Sequence, residues 1–203
     1  MLDTERAYIA GLFDGDGSVF MRKVWHKDLG RDNVLIEASF TLQSMKTLEW
    51  LAALLGGVPK QSHKDHRAFT LRLGGQRVIT LLQAIEPYVV TKKEQVTFVL
   101  FAKTAFFYDG RGGHGSYSIL SPEVIELRSI SCDILHMLNK RDSMYFHGKS
   151  GEFSESLTSL MIKLKDMMTL SQATVGLSAV EGATTREMSP NNNSLHERPA
   201  LIH

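Results

Sequence analysis

The sequence contains one cysteine and no long apolar run, and both absences exclude whole classes of protein. Cys132 alone cannot form an internal disulfide, and a zinc site built from several cysteines is also excluded. No apolar stretch approaches the roughly 20 residues of a membrane-spanning helix. The N-terminal residues lack the basic and apolar regions of a signal peptide. We therefore expect an intracellular protein in a reducing compartment, without a membrane partner.

A strong excess of one charge sign is absent as well. The chain has 23 lysines and arginines against 22 aspartates and glutamates, so composition by itself does not indicate a nucleic-acid partner. The distribution is less even, because residues 22–72 hold nine basic and five acidic side chains. Such a bias is typical of a solvated sheet face or of a DNA-binding one.

What is present is a chain of 203 residues with 43% hydrophobic content, enough for one domain with a real core. Periodicity predicts an opening helix capped by Thr4, strands at 18–27 and 33–43, and a helix stopped by Gly56 and Gly57. A hairpin and two helices at 76–90 and 92–107 follow. The order helix, two strands, helix, two strands, helix predicts an α+β fold.

The second half of the chain is predicted to be helical and then irregular. "YDGRGGHGSYS" lacks the features of a phosphate-binding loop and is read as a flexible connection. Helices are expected from Pro122, with Ser121 as cap, and over 154–168; Cys132 falls in the first of them as a small core residue. We expect residues 1–168 to form the domain and residues 169–203 to be a disordered tail.

The predicted strands each leave one polar face. In the second strand, Ala38, Phe40 and Leu42 alternate with polar residues, and in the fourth Leu71 and Leu73, with Phe69, are expected to be buried. An antiparallel sheet can leave such a face to water, or the face can lie in a DNA groove. The candidate DNA-binding side chains on these faces are Arg22, His26, Lys60, Thr70 and Arg72.

The opening helix ends in an unfavourable way. Asp14 and Asp16 stand in its last turn, where the helix dipole already places partial negative charge. A calcium loop of the EF-hand type would need Gly and Glu where the chain has Val19 and Trp25, so that site is excluded. A plain turn between helix and strand is the simpler alternative.

The same helix carries a face of small residues. Ala7, Gly11 and Gly15 recur every four residues, and a glycine inside a helix costs roughly 1 kcal/mol relative to alanine. Close approach of a second helix would compensate for that cost. The carboxylates of two paired helices would then converge, and divalent cations with a preference for oxygen ligands would relieve their repulsion.

Residues 9–17, "IAGLFDGDG", resemble the signature of the LAGLIDADG homing endonucleases, and the resemblance extends to about residue 168. It implies the family's fold: an αββαββα core, antiparallel DNA-binding sheets and motif helices at the dimer interface. Since the motif occurs once, the resemblance implies a homodimer joined through Ala7, Gly11 and Gly15. The implied activity is a site-specific double-strand break in a long pseudo-palindromic DNA target, which promotes intron mobility.

The resemblance also assigns roles to single residues. Asp16 matches the metal-binding aspartate and the Gly15 carbonyl a backbone ligand, whereas Asp14 matches a structural acid. Lys92 falls at the active-site lysine. The water-organising glutamine corresponds to Gln43, or to Ser44 if the apolar phase of the strand decides the alignment. The implied cofactor is Mg²⁺, for which Mn²⁺ substitutes, and no small-molecule cofactor is implied.

Three basic residues between the last helices complete the comparison. They resemble the family's loop on the DNA backbone, although a solvated loop is the simpler interpretation: Lys140, Arg141 and Lys149. Two alternative functions stay open, an RNA maturase that assists group I intron splicing and a catalytically inactive DNA-binding regulator. The resemblance places the protein in an organelle, chloroplast or mitochondrion, or in a bacterial cytoplasm.

Overall fold

A computed structural model describes residues 1–27, 30–62, 67–106, 121–146, 151 and 154–169. The predicted glycine-rich connection, residues 63–66 at the tip of the second hairpin and residues 170–203 of the predicted tail lie outside these residues. The chain divides into two units, residues 1–167 and 168–203; of the second unit only 168–169 are described, and both are helical. In the described part, no helix is both long and apolar enough to span a membrane.

The described elements follow the predicted order. They are α1 (Asp3–Asp16), β1 (Gly17–His26), β2 (Arg31–Leu42), α2 (Met45–Leu55), β3 (Lys60–Gln61), β4 (Phe69–Gly74), α3 (Gln76–Ile85), α4 (Lys93–Phe106) and α5 (Pro122–Phe146). Residues 154–169 are also helical. The α+β class and the αββαββα order of the first seven elements are confirmed.

The four strands form one antiparallel sheet in the order β1-β2-β4-β3. Ser18 pairs with Ser39, and Ser39 pairs with Arg72 on the other side of β2. Alternate residues therefore share a face across all three long strands. One face is buried and includes Val19 and Ala38, whereas the other carries the polar side chains.

The core lies between the buried sheet face and the helices. Phe13 of α1 packs edge-on against Phe40 of β2, with ring centroids 5.7 Å apart, and both are fully buried. Leu71 and Leu73 are buried as expected, but Phe69 is only half-buried because it stands at the start of β4, beside the two-residue strand β3. Cys132 is a core residue, as predicted, and burial raises the pKa of its thiol to about 11.

The helix ends agree with the sequence patterns except at the start of α1. The predicted cap Thr4 is wrong: α1 begins at Asp3, and the Glu5 carboxylate accepts a 2.7 Å hydrogen bond from the Leu2 amide. A charged acceptor three residues along can satisfy that amide from inside the helix, so no Thr cap is needed. Ser121 does cap α5, since its hydroxyl accepts from the Val124 amide at 3.4 Å.

Two further features define the surroundings of the sheet, the end of α2 and a contact between α5 and β1. Gly56 and Gly57, with φ of +78° and +95°, end α2 in the left-handed region that favours glycine. Helix α5 packs beside β1, where the Asn139 side-chain amide donates to the Val19 carbonyl at 2.8 Å. Because β1 is an edge strand, this bond satisfies a carbonyl that no neighbouring strand can reach.

Candidate functional site

The C-terminal end of α1 runs directly into β1, and this turn places the acidic residues of the motif. Gly17 donates its amide to the carbonyls of Leu12 and Phe13 as the chain leaves the helix. A Cβ atom at residue 17 would stand 2.5 Å from Phe13 Cδ2 and 2.7 Å from Phe13 Cα. Only glycine therefore fits a turn this tight, and the turn sets Asp16 at the edge of the sheet.

Lys92 and Asp14 tie this helix end to the start of α4. The Lys92 ammonium donates to the carbonyl oxygens of Phe13 at 2.9 Å and Asp14 at 2.7 Å, with the Gly15 carbonyl 3.5 Å away. In return, the Asp14 carboxylate accepts from the amides of Val90 at 2.8 Å and Lys92 at 2.9 Å. A cation on the last carbonyls offsets the negative helix end, which explains how two acids are tolerated there.

Asp16 has a different environment from Asp14, although only one residue separates them. Its side chain is exposed, and in the described part of the chain no hydrogen bond or ion pair engages its carboxylate. Asp14 is thus a structural acid held by backbone amides, and Asp16 is a carboxylate open to a ligand. This difference is the clearest chemical feature of the site.

Asp16 lines a groove over the polar face of the sheet. The groove has a volume of about 1270 Å³, far more than an ion or a small metabolite needs. Its polar lining comes from β2, β3 and β4 and the segments next to them: Ser39, Thr41, Gln43, Lys60, Gln61, Ser62, Thr70 and Arg72. Hydroxyl, amide and basic groups in an open groove suit a long polyanion such as nucleic acid.

Gln43 and Ser44 are neighbours in sequence, but their side chains have different surroundings. Gln43 is exposed, follows β2 in the same alternation as Ser39 and Thr41, and lines the groove with Asp16. The Ser44 hydroxyl instead caps α2: it accepts from the Thr47 amide at 3.2 Å and from the Thr47 hydroxyl at 2.8 Å. Ser44 is therefore committed to helix α2, and the groove receives Gln43.

The predicted DNA-binding residues are distributed unevenly. Lys60, Thr70 and Arg72 line the groove together. Arg22 lies on the same sheet face farther along β1 and forms an ion pair with Glu37 of β2, with Nε to Oε2 at 2.8 Å. The hydrogen bond and charge of Glu37 raise the pKa of Arg22. Pattern reading missed Glu37 as a partner, although its place in the β2 alternation puts it on this face.

Two of the remaining predicted contacts, Lys140 and Arg141, are not among the described residues that line the groove. Both lie within helix α5, which continues to Phe146, so their expected place in a loop between the last helices is wrong. Lys140 is exposed, and Arg141 pairs with Glu94 of α4. The side chain of His26 and the whole of Lys149 lie outside the described residues.

The small-residue face of α1 is open to solvent in a single chain. Ala7, Gly11 and Gly15 are all exposed, and a Cβ added at either glycine would meet no atom within 4 Å. No described residue therefore packs against the face of α1 that carries Gly11 and Gly15. Tyr8 beside it is also exposed and packs edge-on against Trp50, with centroids 5.6 Å apart.

The described residues of a single chain do not offer a complete set of metal ligands. The described residues contain no group of three or more His, Cys, Asp or Glu side chains that could hold a metal ion. The Asp16 carboxylate and the neighbouring Gly15 carbonyl are hard oxygen donors of the kind that suits magnesium. They fit such an ion only if a second chain or a bound phosphate completes its ligands.

Comparison with solved structures finds similar folds among DNA-cleaving enzymes. The homing endonuclease I-CvuI in complex with its target, with 2 mM calcium, superposes with a TM-score of 0.55 at 19% identity, over 67% of this chain and 82% of that one. I-CvuI in complex with a second target, with 2 mM magnesium and the DNA not cleaved, superposes with a TM-score of 0.54. The sequence identity is 20%, over 67% of this chain and 83% of that one.

A third similar structure is the archaeal intron-encoded homing endonuclease I-Vdi141I complexed with DNA. It gives a TM-score of 0.51 at 17% identity, over 68% of this chain and 84% of that one. No family model matches the sequence, and no curated protein matches it. Shared architecture is thus found at sequence identities of 17 to 20%.

Proposed function

We propose that this chain, which has the fold of the LAGLIDADG homing endonucleases, is a site-specific DNA endonuclease that depends on a divalent metal. It acts as a homodimer, makes double-strand breaks in a long pseudo-palindromic target and promotes the mobility of its intron. Its place is a reducing compartment, in an organelle or a bacterial cytoplasm. The observation that carries the proposal is the exposed Asp16 carboxylate, which no other described residue engages and which lines a groove over the polar sheet face.

The groove supports DNA as the substrate. Its lining combines Lys60 and Arg72, which suit phosphates and guanines, with hydroxyl and amide groups that suit base edges. Three solved structures of the same fold are complexes with a target or with DNA. A sheet face that is polar across three strands and uncovered in the described chain is consistent with major-groove binding.

The catalytic roles follow from the arrangement at the helix end. Asp16 and the Gly15 carbonyl would hold the metal, and a bound Mg²⁺, or Mn²⁺ in its place, would supply charge stabilisation at the phosphate. Gln43 orients a water molecule through its side-chain amide, which faces the same groove. Lys92 fixes the helix end and stabilises negative charge that develops next to it.

A homodimer completes the site. The exposed small-residue face of α1 lets a second copy approach closely, so that the two Asp16 carboxylates meet near one axis. Two chains then provide oxygen ligands beyond those that the described part of one chain offers, and each half of a pseudo-palindromic target meets one sheet face. The repulsion between the two acids favours the binding of divalent cations at the axis.

The decisive experiment is selection of cleaved sites from a randomised DNA library with magnesium present. We expect recovery of one long, pseudo-palindromic sequence that is cut on both strands. Recovery of bound but uncut sequences would identify a DNA-binding regulator instead. If neither bound nor cut sequences are enriched, the proposal is wrong.

A further inference from the structure

The Arg22–Glu37 pair lies on the polar sheet face but outside the groove next to Asp16. Arg22 Nε donates to Glu37 Oε2 at 2.8 Å, and Nη2 donates to Oε1 at 3.2 Å. This two-point contact uses one edge of the planar guanidinium and fixes the orientation of the whole group. The Arg22 side chain keeps 49% of its surface exposed, against 17% for Glu37.

No described residue forms a hydrogen bond with the second edge of this guanidinium, and the side chain is half exposed. Nη1 and the remaining hydrogen of Nη2 form that edge, and no other described residue engages Arg22. Two parallel N–H donors in a fixed plane match the O6 and N7 acceptors of guanine in the major groove. The Glu37 carboxylate thus restricts the Arg22 side chain already in the free protein. Less conformational entropy is therefore lost when Arg22 binds a base.

Arg72 provides the contrast within the same face. It is exposed and lines the groove, and no hydrogen bond or ion pair in the described part of the chain holds its guanidinium. A guanidinium without such a fixed orientation can contact a phosphate or any of several bases. Of these two arginines, Arg22 is the one oriented before DNA arrives.

We propose that Arg22 is a specificity-determining residue that reads one guanine in each half of the DNA target, and that Glu37 is its positioning residue. The inference rests on the proposed function, because it names a base within the target of that endonuclease. It adds a partner residue, Glu37, and a base identity at one defined position.

The position of the guanine follows from the strand geometry. Arg22 is six residues beyond Asp16 along β1, a distance of about 20 Å at roughly 3.3 Å per residue. Successive base pairs are about 3.4 Å apart along the DNA axis. With Asp16 at the centre of the target and β1 directed outward along the DNA axis, the guanine recognised by Arg22 is about six base pairs from that centre, on both sides.

The test is selection of bound DNA from a randomised library by the full chain without divalent metal, followed by sequencing. Wild-type protein is expected to prefer guanine about six base pairs from the centre by about tenfold to hundredfold. Arg22→Gln should abolish this preference and leave the other positions as they were. Glu37→Gln, which keeps the shape but loses the charge, should reduce it at least severalfold.

Arg72→Gln is the matched control, since it removes an arginine of the same face that no carboxylate holds. It should leave the Arg22-dependent guanine unchanged and alter only positions nearer the centre. Unchanged guanine preference in both Arg22→Gln and Glu37→Gln would overturn the assignment while the endonuclease stands. If wild-type protein selects no sequence and cuts none, the proposed function fails, and this assignment fails with it.

Discussion

The side chains of Asp14 and Lys92 each form a hydrogen bond with the backbone of the other residue, at the end of α1 and the start of α4. The Asp14 carboxylate accepts from the Lys92 amide at 2.9 Å, and the Lys92 ammonium donates to the Asp14 carbonyl at 2.7 Å. The two residues are 78 positions apart in sequence, so the exchange closes the fold between the end of α1 and the start of α4. It also fixes the backbone that carries Asp16.

Removing the Lys92 ammonium tests this exchange. Lys92→Met keeps an unbranched side chain of similar bulk but leaves the last carbonyls of α1 without their cation. We expect the free energy of unfolding, measured by urea denaturation, to fall by about 1.5–3 kcal/mol, the range for a hydrogen bond to a charged group. Lys140→Met, on an exposed position of α5, should change it by less than about 0.5 kcal/mol. Equal effects of the two variants would contradict the exchange.

The turn after the motif gives a second prediction. Gly17→Ala places a methyl group within 2.8 Å of the Phe13 carbonyl oxygen and closer still to its Cα, and backbone atoms cannot move aside cheaply. We expect a loss of about 1–3 kcal/mol in the free energy of unfolding, as for other overpacked sites. Gly74→Ala is the control, because an added Cβ meets nothing within 4 Å there. Similar thermal stability of the two variants would show that the turn is looser than described.

Much of the fold could be predicted from local patterns. The alternation of Phe40 and Leu42 with polar neighbours indicates a strand with one buried face, and the structure confirms Phe40 in the core. The position of Ser121 before Pro122 marks the start of α5. These predictions succeed because each depends on residues only a few positions apart in the sequence. Such residues are neighbours in space without any tertiary packing.

The site could be predicted only in part, because its contacts join distant segments. The position of Asp16 follows from the motif, but the contacts of Lys92 with carbonyls of α1 depend on how α4 packs. Likewise, Arg22 and Glu37 become partners through the β1–β2 register, which the polar alternation alone does not set. The hydrogen bond from the Thr47 amide to the Ser44 hydroxyl, which caps α2, was likewise not predicted from the strand alternation.

A third prediction concerns assembly. Gly11 is exposed with open space around it in a single chain, so a larger side chain there does not clash within the chain. Gly11→Leu should therefore fold but keep two α1 helices apart, and multi-angle light scattering should show a monomer where wild type is a dimer. Glu155→Leu adds the same group at an exposed position elsewhere and should remain dimeric. A wild-type monomer, free and on DNA, would rule out the homodimer.

The buried thiol gives a prediction about pH. Burial raises the pKa of Cys132 from 9.0 to about 11, so the unfolded chain releases this proton at lower pH than the folded one. The contribution of the thiol to stability is therefore fully present below pH 9 and is lost as pH rises from 9 to 11. Denaturation of wild type and Cys132→Ala should show their difference in stability shrinking over that range. A constant difference would mean that the thiol ionises freely in the folded state.

The two acids of the motif should separate cleanly by function, which makes them the sharpest pair of variants. Asp16→Asn removes the charge that holds a divalent cation, so cleavage of the selected target should fall by orders of magnitude. Binding to that target, measured by gel shift, should persist or strengthen, because one source of repulsion toward phosphate disappears. The free energy of unfolding should stay within about 0.5 kcal/mol of wild type, since no described residue bonds to this carboxylate.

Asp14→Asn should give the opposite pattern. Its carboxylate accepts from two backbone amides, and an asparagine amide group turned toward either of them would present a donor to a donor. We expect a loss of about 1–3 kcal/mol in the free energy of unfolding. Any fall in cleavage should be restored by lower temperature or by stabilising salt, since the metal-binding acid is intact. Full magnesium-dependent cleavage by Asp16→Asn, beside a permanently inactive but stable Asp14→Asn, would exchange the two roles and remove Asp16 from the active site.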